Sequence, residues 1–263
     1  MSAEVYAITS GKGGTGKTTT AINLGVSLAG LGKRALVIDA DMGMANVGLL
    51  LGMDVTAGTF YDYISGTADV EDIIYEGPGG LKIIPGSISL ENLGEFDTDT
   101  IRRLIEELSS KFDYILLDTA PGIGKETACI LEAVNNSFLI VNPEISSIID
   151  SIKIKIFIDM KGNRIKGVLL NRVTDSDEMS KEKVEEILEL PVTDKIPEDP
   201  LIKKSVVQRM PVVLHTPGSD SSIAFKSIAA RMAGYDIKLD ESHNEKVKKG
   251  LFQKIISLLL KRN

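Results

Sequence analysis

A glycine-rich loop near the start of the chain has the residue types that bind phosphate. Gly11-Lys12-Gly13-Gly14-Thr15-Gly16-Lys17-Thr18 fits the phosphate-loop pattern G-x-x-x-x-G-K-[ST]. Glycines let the backbone aim several N–H groups at one anion, and the N-terminus of a following helix adds positive potential. Lys17 offers a charge to the β- and γ-phosphates, and the Thr18 hydroxyl can ligate Mg²⁺. A ligand-free glycine turn is disfavoured because a predicted strand precedes the loop and a predicted helix follows it.

Three aspartates follow apolar runs and suit metal and water chemistry. Asp39 and Asp41 come after the run 35–38, and Asp118 comes directly after the run 114–117. A carboxylate in the position of Asp118 can hold a Mg²⁺-bound water. In an extended segment, the two-residue spacing of Asp39 and Asp41 places both side chains on one side. The alternative for either residue is that it caps the following helix.

These residues need a sheet to bring them together, and the chain predicts one. Short continuous apolar runs alternate with stretches of helical spacing, a pattern typical of an α/β fold in which helices cover both faces of a mostly parallel sheet. Such sheets bind ligands at the carboxyl ends of their strands. The predicted strands are Val5–Ile8, Ala35–Ile38, Leu81–Ile84, Tyr114–Leu117, Phe138–Val141, Val168–Leu170 and Val192–Ile196. Helices are predicted over 17–31 and 99–110.

Composition excludes several classes of protein. The 263 residues are 43% hydrophobic, which is enough for a buried core and too much for a disordered chain. The single cysteine, Cys129, rules out an intramolecular disulfide scaffold. A net charge of −7, with 5% aromatic residues and no Trp, argues against a protein that coats nucleic acid. Neither a signal peptide nor a run of about 20 apolar residues is visible, so we expect a cytoplasmic protein.

The last 18 residues differ from the rest of the chain. Residues 246–263 include six basic residues and no acidic ones, although the whole chain is acidic. On a helix, five apolar side chains of this segment would form one stripe, which is typical of a helix lying in a membrane interface. The stripe consists of Leu251, Phe252, Ile255, Ile256 and Leu259. The alternative is a helix that packs on the protein's own core.

The phosphate loop also resembles a family motif. Lys12-Gly13-Gly14-Thr15-Gly16-Lys17-Thr18-Thr19 is similar to the deviant Walker A loop, K-G-G-x-G-K-[ST]-[ST], of the MinD/ParA ATPases. Residues 37–41 and 115–122 resemble the family's switch I and switch II segments, and residues 142–144 and 196–199 also match family segments. The resemblance extends over about residues 4 to 234. It implies a P-loop NTPase fold and Mg²⁺-dependent hydrolysis of ATP to ADP and phosphate.

The resemblance implies a role for each matching residue. Lys12 would reach the nucleotide of a partner subunit, although its spacing alone fits a solvated loop lysine equally well. Asp41 would position the attacking water, and Asp39 would support the metal. The implied catalytic residues are Lys12, Lys17 and Asp41, and the implied metal site is Thr18, Asp39 and Asp118. The implied nucleotide site is Gly11, Lys12, Gly13, Gly14, Thr15, Gly16, Lys17, Thr18, Thr19, Asn171, Pro197, Glu198 and Asp199.

The identity of the base is read from the segment that begins at Asn171. Guanine-specific relatives read the base with N-K-x-D, whereas this chain has Asn171-Arg172-Val173-Thr174 and lacks the final aspartate. We therefore expect adenine. By resemblance, Asn171 would contact the ring and the Pro197–Asp199 loop would close over it. A plain strand-ending turn remains the alternative for that loop.

The sequence as a whole predicts three segments. These are an ATPase domain over 1–235, a linker over 236–246 and an amphipathic membrane-targeting helix over 247–263. By resemblance, we expect an ATP-dependent homodimer that binds the anionic inner face of the cytoplasmic membrane and works with a protein activator or cargo in spatial positioning, such as division-site placement. ParA-type DNA partitioning is an alternative that the acidic body disfavours, so nucleic acid is an unlikely partner. FlhG-type flagellar placement is another alternative, and the single cysteine disfavours a metallocluster carrier.

Overall fold

The described strands form a single sheet that places the predicted site at one edge. The computed structural model describes residues 3–87 and 96–235. Eight strands lie in the order β3-β4-β2-β5-β1-β6-β7-β8, and all neighbouring pairs are parallel except β3 and β4. The strands are β1 (Glu4–Thr9), β2 (Ala35–Ala40), β3 (Tyr75–Glu76), β4 (Lys82–Ile84), β5 (Tyr114–Thr119), β6 (Asn136–Val141), β7 (Arg164–Val173) and β8 (Val192–Pro197). The predicted α/β fold with a mostly parallel sheet is confirmed.

All seven predicted strands are present, and the two-residue β3 was not foreseen. The helices predicted over 17–31 and 99–110 are observed as α1 and α4. Asp97 caps α4 by accepting the backbone N–H groups of Asp99 and Thr100. The described helices are α1 (Lys17–Gly30), α2 (Val47–Leu51), α3 (Phe60–Ile64), α4 (Thr98–Ser109), α5 (Lys125–Ala133), α6 (Ile145–Met160), α7 (Lys181–Leu188), α8 (Pro200–Val207), α9 (Val212–His215) and α10 (Asp220–Met232), with a 3₁₀ turn at Pro78–Gly80.

Two apolar layers, one on each face of the sheet, hold the helices in place. Alternate side chains of the central strands point to opposite faces because the side-chain period of a strand is two. In β5, Ile115 and Leu117 join the layer that includes side chains from α3 to α7. Tyr114 and Leu116 join the other layer, with side chains from α1, α9 and α10. Burial on both faces is the reason that the strands are continuous apolar runs rather than alternating ones.

The strand order brings the predicted site residues together. β1 lies between β5 and β6, and the chain leaves β1 through the glycine-rich loop at the carboxyl edge. β2 and β5 are neighbours in register, with Asp39 directly opposite Asp118. The loops after β1, β2 and β5 therefore meet at one edge, where open α/β sheets bind their ligands.

Part of the predicted organisation lies outside the described residues. The linker 236–246 and the helix 247–263, with its apolar stripe, belong to that part, and the three-segment division stays a prediction. Within residues 3–87 and 96–235, no helix combines the length and the apolar character needed to cross a membrane.

Candidate functional site

The glycine-rich loop turns the chain from β1 into the N-terminus of α1. Gly14 and Gly16 have positive φ angles of 77° and 97°, which glycine adopts at little cost. Gly16 is the N-cap residue of α1, and no described side chain caps that terminus. The first N–H groups of α1 therefore face the loop with the positive end of the helix dipole behind them, as anion binding requires.

An open cleft of about 660 Å³ lies in front of this loop. Most of the predicted loop residues line it, together with Asp41 from the segment after β2. Its lining is Gly13, Gly14, Gly16, Lys17, Thr18, Thr19, Asp41, Met42, Gly43, Met44, Asn46, Leu50, Ala120, Pro121, Glu126 and Arg172. Gly11 and Thr15 lie behind it. A Cβ on Gly11 would come 2.2 Å from the carbonyl carbon of Asp150, so this glycine lets α6 pack directly on the loop.

Lys17 is buried between the cleft and the carboxylates. Lys17 is only 7% exposed. Burial lowers the pKa of the ammonium, while the nearby Asp118 and Asp41 carboxylates counteract that shift. A buried ammonium at the first residue of α1 adds positive charge where a phosphate group would meet the loop.

Asp118 is a buried carboxyl group in which one oxygen lacks a hydrogen-bond partner among the described residues. The residue is 1% exposed, and that oxygen is Oδ1. Burial, with a smaller contribution from neighbouring Asp39, raises its pKa to about 8, against the opposing effects of the Thr18 hydroxyl and Lys17. A divalent cation beside Asp118 and Thr18 would stabilise the ionised form of this carboxyl group. The donor set therefore fits Mg²⁺.

Backbone amides hold the carboxylate of Asp39 in place. Its carboxylate accepts the backbone N–H groups of Asn46 at 2.8 Å and Val47 at 2.9 Å, and that of Asp41 at 3.4 Å. These bonds cap α2 and shape the segment after β2, and burial raises the pKa of Asp39 to about 6. These amide contacts fit the capping alternative, and a supporting role for Asp39 near the metal stays a prediction.

Asp41 lies at the cleft and is less buried than Asp39. It lines the cleft, and its Oδ1 accepts the backbone N–H of Met44 at 2.9 Å. Asp39 accepts amides at the start of α2 and Asp41 lines the cleft, and the same-side arrangement of the two carboxylates stays a prediction. Asp41 is consequently the carboxylate of this pair that can meet a water molecule in front of the loop.

Lys12 does not line the cleft in front of its own loop. Its Nζ donates to Ser146 Oγ at 3.0 Å and lies 3.5 Å from Glu144 Oε2, both at the start of α6. The Lys12 side chain is 44% exposed. The loop backbone around it is braced by Ser10, whose Oγ donates to Lys12 O at 2.8 Å and whose carbonyl accepts Gly122 N–H at 2.9 Å. Lys12 therefore lies on the surface beside the site, in contact with the start of α6.

The predicted base-binding residues form a smaller recess beside the cleft. Asn171, Glu198 and Asp199 line this recess. Gly16, Thr19 and Arg172 line both the recess and the cleft. Pro197 ends β8 and is not among the residues that line it. Asp199 is also engaged elsewhere, because it caps α8 through Leu201 N–H and accepts Ser221 Oγ–H at 2.6 Å.

Sequence reasoning missed several residues of the site. Arg172 lines both the cleft and the recess, and its φ of 61° is unusual for a residue with a side chain. Ser146 holds Lys12 from a position 134 residues away in the chain. Glu126 enters the cleft from the first turn of α5. Only the Asn-Arg pair after an apolar run hinted at Arg172, and no sequence signal pointed to Ser146.

Comparison with known proteins decides what this cleft binds. Residues 6–212 match the family model described as CobQ/CobB/MinD/ParA nucleotide binding domain. The chain belongs to the MinD/ParA family. An uncharacterized ATP-binding protein of Methanocaldococcus jannaschii is 39% identical over 96% of this chain and 98% of its own length. The antiactivator FleN of Pseudomonas aeruginosa is 30% identical, covering 89% of this chain and 88% of its own.

The structural comparison agrees with the family match. The septum site-determining protein MinD of Pyrococcus horikoshii, complexed with Mg-ADP, has a TM-score of 0.81 and 33% identity over 90% of this chain and 100% of its own. The MinD-like P-loop NTPase fold is thereby confirmed. The prediction of ATP and Mg²⁺ as ligands is confirmed at the level of this MinD/ParA family, and the roles of individual residues remain predictions.

The first test concerns Gly16. We expect Gly16→Ala to abolish detectable ATP binding, since the new Cβ would come 2.4 Å from Asn171 Nδ2 at a backbone with positive φ. Gly66→Ala is the matched control, because Gly66 also has positive φ, at 73°, but has no atom near the new Cβ. Both affinities can be measured by calorimetry. Equal losses of affinity in the two variants would contradict a specific role for the loop backbone.

A second test concerns the buried carboxyl groups without metal. The folded protein holds a proton on Asp118 up to about pH 8, whereas the unfolded chain releases it near the ordinary aspartate pKa. The free energy of unfolding should therefore fall as pH rises from 5.5 to 8, with Asp39 contributing in the lower part of this range. We expect Asp118→Asn to flatten the dependence of the thermal midpoint on pH.

The control for this measurement is Asp113→Asn. Asp113 is partly buried, and the Arg34 guanidinium lowers its pKa, so it is ionised in both states over the tested range. Thermal melts in chelator, without nucleotide, should show the wild-type slope for this variant. A wild-type slope in Asp118→Asn as well would show that Asp118 is ionised in the metal-free fold.

Proposed function

We propose that this protein is a Mg²⁺-dependent ATPase that hydrolyses ATP to ADP and phosphate as an ATP-dependent homodimer and cycles on and off an anionic membrane. The family match supports nucleotide binding, and the names of the Methanocaldococcus and Pyrococcus relatives support ATP and a part in division-site placement. The observation that carries the proposal is the different placement of two lysines. Lys17 is buried inside the cleft, and Lys12 is exposed outside it.

The loop and two side chains would hold the phosphates and the metal. Backbone N–H groups of Gly14 to Thr18 surround the phosphate position, and the buried Lys17 ammonium offsets negative charge there. Thr18 and Asp118 would hold Mg²⁺, Thr18 directly and Asp118 through its unpartnered oxygen or a bound water. When bound, the ion neutralises charge on the phosphate oxygens. No cluster of three metal-binding side chains occurs in the described part of the chain, so phosphate oxygens and water would complete the coordination.

Hydrolysis would use Asp41 to orient water. Asp41 lines the cleft and has one oxygen engaged by Met44 N–H, which orients its carboxylate. A water held by Asp41 would form a bond to the γ-phosphorus as the bond to the leaving ADP oxygen breaks. The water contributes its hydroxyl to the phosphate product, and its remaining proton passes to the phosphate oxygens or to solvent. The protein positions the reactants and offsets charge, without a covalent intermediate.

Lys12 supports dimerisation as part of the mechanism. Its ammonium is directed to Ser146 and Glu144 on the outer surface rather than into its own cleft. Because the side chain is long and 44% exposed, a second subunit approaching the cleft mouth can draw it toward the partner's phosphates. A charge supplied in trans would make turnover depend on dimerisation.

Membrane attachment rests on the sequence of the C-terminal segment. Its stripe of five apolar residues and its six basic residues suit a headgroup interface, where each basic residue contributes about 1 kcal/mol. One such segment binds weakly, whereas two on a dimer gain avidity of about 10²-fold or more. ATP would then control membrane residence through dimerisation.

The similarity to an antiactivator favours a second candidate function. The Pseudomonas relative carries that name at 30% identity and 89% coverage of this chain. In that case the ATP-bound dimer would bind and restrain an activator protein. In both candidates the protein acts through a protein activator or cargo bound in the ATP state.

The trans role of Lys12 can be tested by measuring mass in solution. We expect Lys12→Ala, introduced together with Asp41→Ala to slow hydrolysis, to remain monomeric with Mg-ATP in size-exclusion chromatography with light scattering. In the single variant, turnover should fall by about 10³-fold or more, as for other charged groups supplied in trans. ADP binding should persist, because Lys12 does not line its own cleft.

The matched control for Lys12 is Lys183→Ala. Lys183 is a half-exposed lysine on α7 that pairs with Glu186, remote in sequence from the loop and absent from the cleft lining. It should dimerise and turn over ATP like the wild type. ATP-dependent dimers of Lys12→Ala at wild-type levels would overturn the trans-lysine role.

Membrane attachment can be tested with the full chain and two single substitutions. Ile255 lies within the predicted apolar stripe, and Ser257 lies on the opposite face of the same predicted helix. We expect Ile255→Glu to abolish ATP-dependent co-sedimentation with anionic liposomes, and Ser257→Glu, which adds the same charge, to retain most of it. Equal binding of the wild type with ADP and with ATP would refute the nucleotide switch while leaving the anchor intact.

A further inference from the structure

Asn171, which lines the recess beside the cleft, also makes a buried contact with the phosphate loop. The residue is 5% exposed, and its Nδ2 donates to the backbone carbonyl of Thr15 at 2.7 Å. The two residues are 156 positions apart in the chain. Thr15 is itself 1% exposed, so its carbonyl has little access to water as a substitute partner.

An irregularity in β7 accounts for where Asn171 lies. The pairing of β7 with β8 shifts register between Asn171 and Val173. Arg172, the residue between them, has a positive φ of 61°. A bulge of this kind bends the end of a strand and redirects the neighbouring side chains, and the strain it carries is typical of sites with a functional constraint.

Gly16 completes the contact from the side of the loop. A Cβ at Gly16 would come 2.4 Å from Asn171 Nδ2, so only glycine lets the amide approach this closely. The Thr15 carbonyl and the Gly16 N–H belong to one planar trans peptide, in which they point in opposite directions. Holding the carbonyl toward Asn171 therefore aims the Gly16 N–H away from it.

We infer that Asn171 is a positioning residue of the phosphate loop, whose side-chain amide fixes the Thr15–Gly16 peptide so that this part of the loop is ready for a diphosphate group. This role goes beyond the adenine contact that the family resemblance implies, and it rests on the proposed nucleotide binding but not on hydrolysis, dimerisation or membrane attachment. Asn171 should therefore affect the binding of the diphosphate group, whatever base is attached to it.

Pyrophosphate separates this role from base recognition, because it has neither base nor ribose. We expect Asn171→Ala to weaken Mg-pyrophosphate binding by about tenfold, the size of one lost buried hydrogen bond, and Mg-ADP binding by at least the same factor. Both affinities can be measured by displacement of a fluorescent ADP analogue. The ligands are not ATP, so neither turnover nor ATP-dependent dimerisation enters the result.

Asn163→Ala is the matched control. The Asn163 amide also donates to a backbone carbonyl, that of Leu131, but it lies at the opposite end of the sheet, beside the start of β7. This variant loses the same type of bond and should keep wild-type affinity for both ligands. A circular-dichroism melt of each variant confirms that the fold is retained.

The outcome for pyrophosphate decides the inference. A fall in pyrophosphate affinity that is confined to Asn171→Ala supports the positioning role, whether or not ADP affinity falls further. Unchanged pyrophosphate affinity with weakened ADP affinity would overturn it in favour of base recognition. An equal fall in Asn163→Ala would overturn it in favour of a general loss of stability. If the protein binds both ligands but shows no ATPase or dimer, the proposed function fails while this inference stands.

Discussion

The burial of charge at the carboxyl edge of the sheet is the constraint on which this site depends. Lys17, Asp39 and Asp118 are each less than a tenth exposed, and the sheet register sets the two aspartates side by side. Buried charges are costly unless they are paired or hydrogen-bonded. Asp39 meets this requirement with backbone amides, whereas Asp118 keeps an unpartnered oxygen and a raised pKa. In the proposed function, a divalent cation bound together with phosphate oxygens would offset the charge of this carboxylate.

The same constraint explains the shape of the surrounding loops. The segment after β2 folds back so that Asp39 can cap α2, and this fold exposes Asp41 to the cleft. The glycine-rich loop leaves the start of α1 uncapped, which keeps its N–H groups for an anion. Gly11 lets α6 pack against the back of the loop, while Asn171 braces its other side from β7. The loop is therefore supported by parts of the chain that are distant in sequence, and its preorganisation lowers the cost of ordering it when phosphate binds.

In the proposed function, the placement of the two lysines would link hydrolysis to dimer assembly. The lysine inside the cleft would serve its own subunit, and the lysine outside it would be available to another subunit. Lys12 is held at the surface by Ser146 and Glu144, contacts weak enough to exchange because the group is exposed and screened by solvent. In the proposed function, this arrangement would relate nucleotide state to dimerisation. In the same proposal, a dimer would present two copies of the basic, apolar C-terminal segment, each of which would bind a membrane weakly.

The sequence by itself determined the phosphate loop, seven of the eight strands and the family, because each is written in local patterns of glycine, charge and continuous apolar runs. It also pointed to Asp41 and Asp118, since acidic residues at strand ends meet at one edge of a parallel sheet. It could not decide that Asp39 caps α2, because the competing amides come from a loop whose path depends on packing. Nor could it place Ser146 on Lys12 or turn Asn171 onto Thr15. Those contacts span more than a hundred residues and depend on helix packing and on a bulge in β7, so only the tertiary structure brings their atoms within hydrogen-bond distance.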